Sequence, residues 1–209
     1  MNRKNFFTKV LEKKMEVKPL PKQRTCGPAC HFSKEELKQI IEWTKNPITE
    51  VSLVNTSNSA SLKEPAKKEK EWGNTMIKQK NNSQWTTNLG ESLVFRILAD
   101  KGKNPKRSER KNGYEPDIET DDAIYEVKTR NWTTPGTAGE KVFGTPLKYA
   151  EIPVIYGKPL KIVCVAYQEY ELRNKNTPLL GDKVRETHKK FLDFYKSFNI
   201  EFVGFSELV

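Results

Sequence analysis

Eight residues separate Asp117 from the triplet Glu126-Val127-Lys128, and Pro116 directly precedes the aspartate. Alternation along a strand puts Ile124, Glu126 and Lys128 on one face and Tyr125, Val127 and Thr129 on the other. A carboxylate and an amine then share a face with an isoleucine, so the charged pair is expected to be partly withdrawn from water. Withdrawing two acids and a lysine is costly unless they pair or bind a cation. Carboxylate oxygens are hard ligands suited to Mg2+ held partly through water, and Mn2+ would substitute. Such an ion neutralises charge growing on a phosphoryl group and lowers the pKa of an attacking water. Asp117 and Glu126 are the expected ligands, with the carbonyl of Val127 between them as a further one. Lys128 would orient the water or stabilise the transition state as a point charge. Glu91, on a preceding helix, is placed to add another carboxylate.

The elements that must position these groups are legible in outline. Asn88 to about Lys101 reads as a helix, with Leu89, Leu93, Val94, Ile97 and Leu98 as its apolar stripe and Gly102 as its stop. Asp121-Asp122 is a turn signal between the segment carrying Asp117 and a strand over 123–129, so the acids sit on a hairpin. The apolar run 160–167 predicts a central strand buried on both faces. Asp182 is positioned to cap a helix whose stripe is Val184, His188, Phe191 and Tyr195, and 200–205 reads as a last strand. The expected fold is α/β, a mixed sheet flanked by helices. Upstream, Ser33 and Glu36 form a capping box, with Phe32 and Leu37 as a hydrophobic staple, and Asn46-Pro47 ends that helix. Residues 55–83, rich in Ser, Asn, Lys and Glu, read as a flexible linker. The expected division is therefore a basic segment over 1–24, a small helical module over 25–54, this linker, and a catalytic domain over 84–209.

At Pro116-Asp117 and Glu126-Val127-Lys128 the sequence resembles the PD-(D/E)XK nuclease superfamily. That resemblance implies a restriction-endonuclease-like sheet, with metal-binding acids at Asp117 and Glu126, a catalytic lysine at Lys128, and Glu91 as the helical acid. It also implies hydrolysis of double-stranded DNA. Residues 130–168 look like a stretch seen in some type II restriction endonucleases. Arg130, Trp132 and Thr133 leave the end of the catalytic strand and, with Lys141, are expected to touch DNA. Lys106 and Arg107, in the basic run Lys101, Lys103, Lys106, Arg107, Arg110 and Lys111, are expected to meet phosphates. Cys26-Gly-Pro-Ala-Cys30, the helix with Trp43, and Asn46-Pro47-Ile48-Thr49 resemble a virus-specific two-cysteine adaptor module fused to enzymes of large DNA viruses. This implies a viral origin and a protein partner for the module.

The formal net charge is +10, and residues 1–80 carry 17 Lys+Arg against 9 Asp+Glu, so most of the surplus lies ahead of the candidate site. That surplus suits a polyanionic partner. Three cysteines do not make a disulfide framework, and Cys26, Cys30 and His31 are too few for a closed zinc site. No apolar stretch is long enough to span a bilayer, and no signal-peptide core precedes the helix at Ser33, so an intracellular setting without membrane is the default. Cutting both strands of a palindrome calls for a homodimer. A structure-specific nuclease for recombination, and a silent DNA-binding or adaptor protein, are the competing functions.

Overall fold

A computed structural model describes residues 32–47, 63–134, 136–175 and 177–209. The basic segment 1–24, Cys26, Cys30 and His31 lie outside the described residues, as do 48–54 of the small module. Five strands form one sheet in the order β1 (Lys106–Arg107), β2 (Ile118–Glu119), β3 (Ile124–Arg130), β4 (Leu160–Ala166), β5 (Ile200–Gly204). The first three are antiparallel, whereas β3, β4 and β5 run parallel. The sheet is thus mixed, and β3 sits at the change of direction.

Its two faces bury different side chains, as strand alternation requires. Tyr125, Val127, Val163 and Val165 point into a core shared with α1 (Lys34–Lys45), α2 (Lys63–Met76) and α3 (Trp85–Asp100). Ile124, Leu160, Ile162, Cys164, Ile200 and Phe202 point into a second core. That core is closed by Tyr149 and by α5 (Ile152–Tyr156), with Leu192 and Tyr195 of α7 (Glu186–Ser197) packed against it. A one-turn α4 (Thr145–Lys148) precedes α5, and α6 (Tyr167–Asn174) follows β4 directly. Cys164 is plain core, as its apolar surroundings predict. No described helix is long and apolar enough to cross a membrane.

The capping box forms: Ser33 Oγ accepts from the Glu36 amide at 3.1 Å, and Glu36 accepts from the Ser33 amide at 2.7 Å. Helix α1 ends at Asn46, the residue before Pro47.

Four expectations need correction. Within the segment read as linker, 63–76 is helical. Its polar composition concealed a buried face made of Glu69, Gly73, Asn74 and Met76. A Cβ on Gly73 would lie 2.0 Å from the Trp85 ring, so only glycine lets α2 approach α3 this closely. Phe32, Ile40 and Trp43 share one core with Val127, Trp132 and Phe205, so the N-terminal helices complete the sheet domain instead of standing apart from it. Helix α7 starts after Arg185 without a side-chain cap, so Asp182 does not cap it. Its inner face is His188, Leu192 and Tyr195, and Phe191 is exposed.

Candidate functional site

The β2–β3 hairpin brings the predicted acids together. Asp117 immediately precedes β2, and its Oδ2 accepts from the Val127 amide at 2.7 Å. That bond fixes Asp117 beside Glu126 and Lys128. It also assigns Val127 a clear part, since its N–H orients the aspartate. Lys128 Nζ donates to Glu126 Oε1 at 2.5 Å, and the lysine side chain reaches out to partial exposure while Glu126 is buried.

Glu126 Oε2 is buried and accepts no hydrogen bond of good geometry from a described residue, with the Tyr149 hydroxyl close enough to interact with the carboxylate. A carboxylate oxygen left without a well-formed hydrogen bond is costly in a low-dielectric interior. Burial, followed by the nearby charges of Glu126 and then Glu91, raises the Asp117 carboxyl well above its ordinary value. Three carboxylates, those of Asp117, Glu126 and Glu91, thus face two cationic side chains, Lys128 and Arg107. That imbalance is what a divalent cation relieves.

Glu91 reaches the site because α3 packs tightly on β3. A Cβ at Gly90 would lie 1.7 Å from Thr129 Oγ1, so a side chain there would push the helix and Glu91 away. Glu91 is ion-paired with Arg107, whose Nη1 lies 2.6 Å from Glu91 Oε2 and 3.3 Å from the Asp117 carbonyl oxygen. Among the described residues no cluster of three or more acid, histidine or cysteine side chains converges as a ready-made metal cage. Two carboxylates, with water completing the shell, is a set Mg2+ commonly accepts, and Asp117 and Glu126 are the two acids that the hairpin brings together.

Tyr149 was not foreseen. It follows α4, is buried, and its hydroxyl is pushed above the ordinary range by burial, by Glu126 and by Asp117. It closes the site from the second core, and nothing in the spacing of 145–157 marked it out.

Three residues expected at DNA face inward. Arg130 is buried, pairs with Glu171 at 2.7 Å, and donates to the Thr134 carbonyl at 3.0 Å. Trp132 donates its indole N–H to the Trp43 carbonyl at 2.7 Å. Thr133 binds Glu69 through both its amide, at 3.0 Å, and its hydroxyl, at 2.6 Å. These side chains lie next to the end of β3 because they anchor it to α1, α2 and α6. Lys106 and Lys141 are exposed, with Lys106 lying 3.7 Å from Glu119.

Comparison with protein-family models, with curated proteins and with solved structures gives no match for this chain.

Proposed function

We propose that this protein is a divalent-metal-dependent DNA endonuclease of the PD-(D/E)XK type, with a restriction-endonuclease-like sheet. The observation that carries the reading is the hairpin site itself. There the buried Glu126 keeps an oxygen without a well-formed hydrogen bond beside Asp117, while Lys128 extends from the same strand face toward solvent. A protein that only bound DNA would gain nothing from burying this charge.

Asp117 and Glu126 would hold Mg2+ or Mn2+. The ion would supply charge neutralisation at the phosphate and a lowered pKa for water. Lys128 places its ammonium where the attacking water or the developing phosphoryl charge would lie, so it acts mainly in the transition state. The Val127 amide keeps Asp117 ionised and correctly aimed once a cation offsets the burial penalty. Tyr149 keeps bulk water off the inner side of Glu126. Lys106, Lys141 and the exposed Lys101 and Arg110 would meet the DNA backbone.

The test is a digest of long duplex DNA beside branched DNA, with Mg2+, Mn2+ or EDTA, using wild type and Lys128→Ala. Discrete duplex fragments that require cation and Lys128 support a restriction-like enzyme. Cleavage confined to junctions would reassign the substrate to branched DNA. No cleavage of either DNA under any cation refutes the nuclease reading.

A further inference from the structure

Arg107 lies on the two-residue strand β1 at the edge of the sheet, where backbone pairing is brief. Its guanidinium ties this edge to the site from two sides. Nη1 donates to Glu91 on α3 at 2.6 Å and to the carbonyl of Asp117 at 3.3 Å. Both side chains of the ion pair are mostly withdrawn from solvent, at 26% and 15% exposure, so the pair is screened less than a surface one. The partners of the three acids are therefore distinct. Lys128 serves one oxygen of Glu126, Arg107 serves Glu91, and among the described residues the Asp117 carboxylate receives a backbone N–H alone.

We propose that Arg107 is a positioning residue, an internal counter-ion that holds Glu91 out of the cation's coordination sphere, so that the site takes a single divalent cation on Asp117 and Glu126. This inference rests on the cation site proposed above. It changes the part expected of two residues. Glu91 becomes a tethered neighbour instead of a ligand, and the Arg107 end nearest the acids is committed to them instead of to a DNA phosphate. It also makes cation affinity depend on a residue that touches no cation. Releasing Glu91 would add a third carboxylate to a site that already carries excess negative charge, which strengthens binding of a hard cation.

The experiment is a titration of the full chain with Mn2+ alone, without DNA, reading free Mn2+ by electron paramagnetic resonance. Wild type should bind one ion. Arg107→Gln should bind Mn2+ about tenfold more tightly, or take up a second ion, as outer-sphere changes at metal sites often shift affinity by that order. Lys106→Gln, which removes a neighbouring charge without freeing Glu91, should change affinity less than about twofold. Glu91→Gln combined with Arg107→Gln removes the pair together and should restore wild-type affinity within about twofold. Unchanged or weaker binding by Arg107→Gln overturns the inference. So does a double variant that binds about tenfold more weakly than wild type, since Glu91 would then already be a ligand. Where Arg107→Gln fails to fold, Arg107→Met, which keeps the apolar stem, takes its place with the same expected and overturning outcomes. A wild type that binds no Mn2+ refutes the cation site itself, an outcome distinct from either.

Discussion

Replacing Glu69 by alanine should unfold the protein at markedly lower temperature, although Glu69 lies in a Lys- and Glu-rich stretch far from the site in sequence. Its carboxylate accepts five hydrogen bonds. They come from the Trp43 indole at 2.9 Å, the Trp132 amide at 3.0 Å, the Asn131 side chain at 3.1 Å, and the Thr133 amide and hydroxyl at 3.0 and 2.6 Å. Removing the acceptor strands buried donors, each costing about 1–3 kcal/mol, less whatever water satisfies in the vacated space. A net loss of about 3–5 kcal/mol follows, in line with breaking one side of a buried charged network. For a chain of this size each kcal/mol moves Tm by about 2–4 °C, so a fall of about 6–20 °C is expected. Glu69→Gln should not rescue it, because either amide orientation points N–H groups at a buried N–H donor. The control is Glu71→Ala, one turn face away and exposed, which should stay within about 0.5 kcal/mol of wild type. Calorimetry with a urea titration at constant m-value would measure both. If Glu69→Ala lies within about 1 kcal/mol of wild type, or matches Glu71→Ala, the network does not hold α2 to the sheet.

Further outcomes follow from the site. Because the folded-state pKa of Asp117 is raised, its ionisation is a penalty absent below the unfolded value and complete above the folded one; without metal, Asp117→Asn should therefore melt higher than wild type at neutral pH, with the gain vanishing as the pH falls toward 4. Added Mg2+ should raise the Tm of wild type but not of Asp117→Asn, and equal shifts would remove Asp117 from the cation site. Lys128→Ala should cut DNA about 100–1000-fold more slowly while retaining DNA affinity, as judged by single-turnover cleavage beside a gel shift. A fragment beginning at Asn81 should lack cooperative unfolding in a near-UV melt, since it loses Ile40, Trp43, Met76 and Ile77 from the first core; a sharp transition would restore the view of a self-sufficient C-terminal domain.

What the sequence disclosed was short in range. The capping box at Ser33, the stripe of α3 and the alternation that sets Glu126 and Lys128 on one face all involve neighbours within a few positions, where type and spacing determine geometry. The hairpin added Asp117 because its turn is brief. Helix α2 was missed because its buried face is Glu69, Gly73 and Asn74, polar or side-chain-free residues whose burial is justified by partners in other segments: Trp132 and Thr133 for Glu69, Trp85 for Gly73 and Asn82 for Asn74. The same long-range bonds explain why Arg130, Trp132 and Thr133 read as DNA contacts in the sequence: arginine, tryptophan and threonine beside a strand that carries acids suit either task, and only Glu69, Glu171 and Trp43 reveal the inward one. For α7, two apolar arcs compete on one helix, and packing on β5 uses Leu192 and Tyr195, leaving Phe191, Phe194 and Phe198 outside.

The parallel half of the sheet has a consequence for a chain emerging from the ribosome. Asp117, Glu126 and Lys128 leave the exit tunnel before β4 does, and β4 leaves it before β5. Each parallel pairing must wait for a partner made later, and such non-local pairing is slow. The first core likewise joins Phe32 to Phe205, and the Trp132 indole finds its acceptor 89 positions upstream. A nascent chain therefore carries the acids and the lysine as separate solvated charges, with no burial to set them against one another. Cation affinity should appear late in synthesis and abruptly, and ribosome-stalled chains ending before β5 should bind Mn2+ no better than an unstructured acidic peptide.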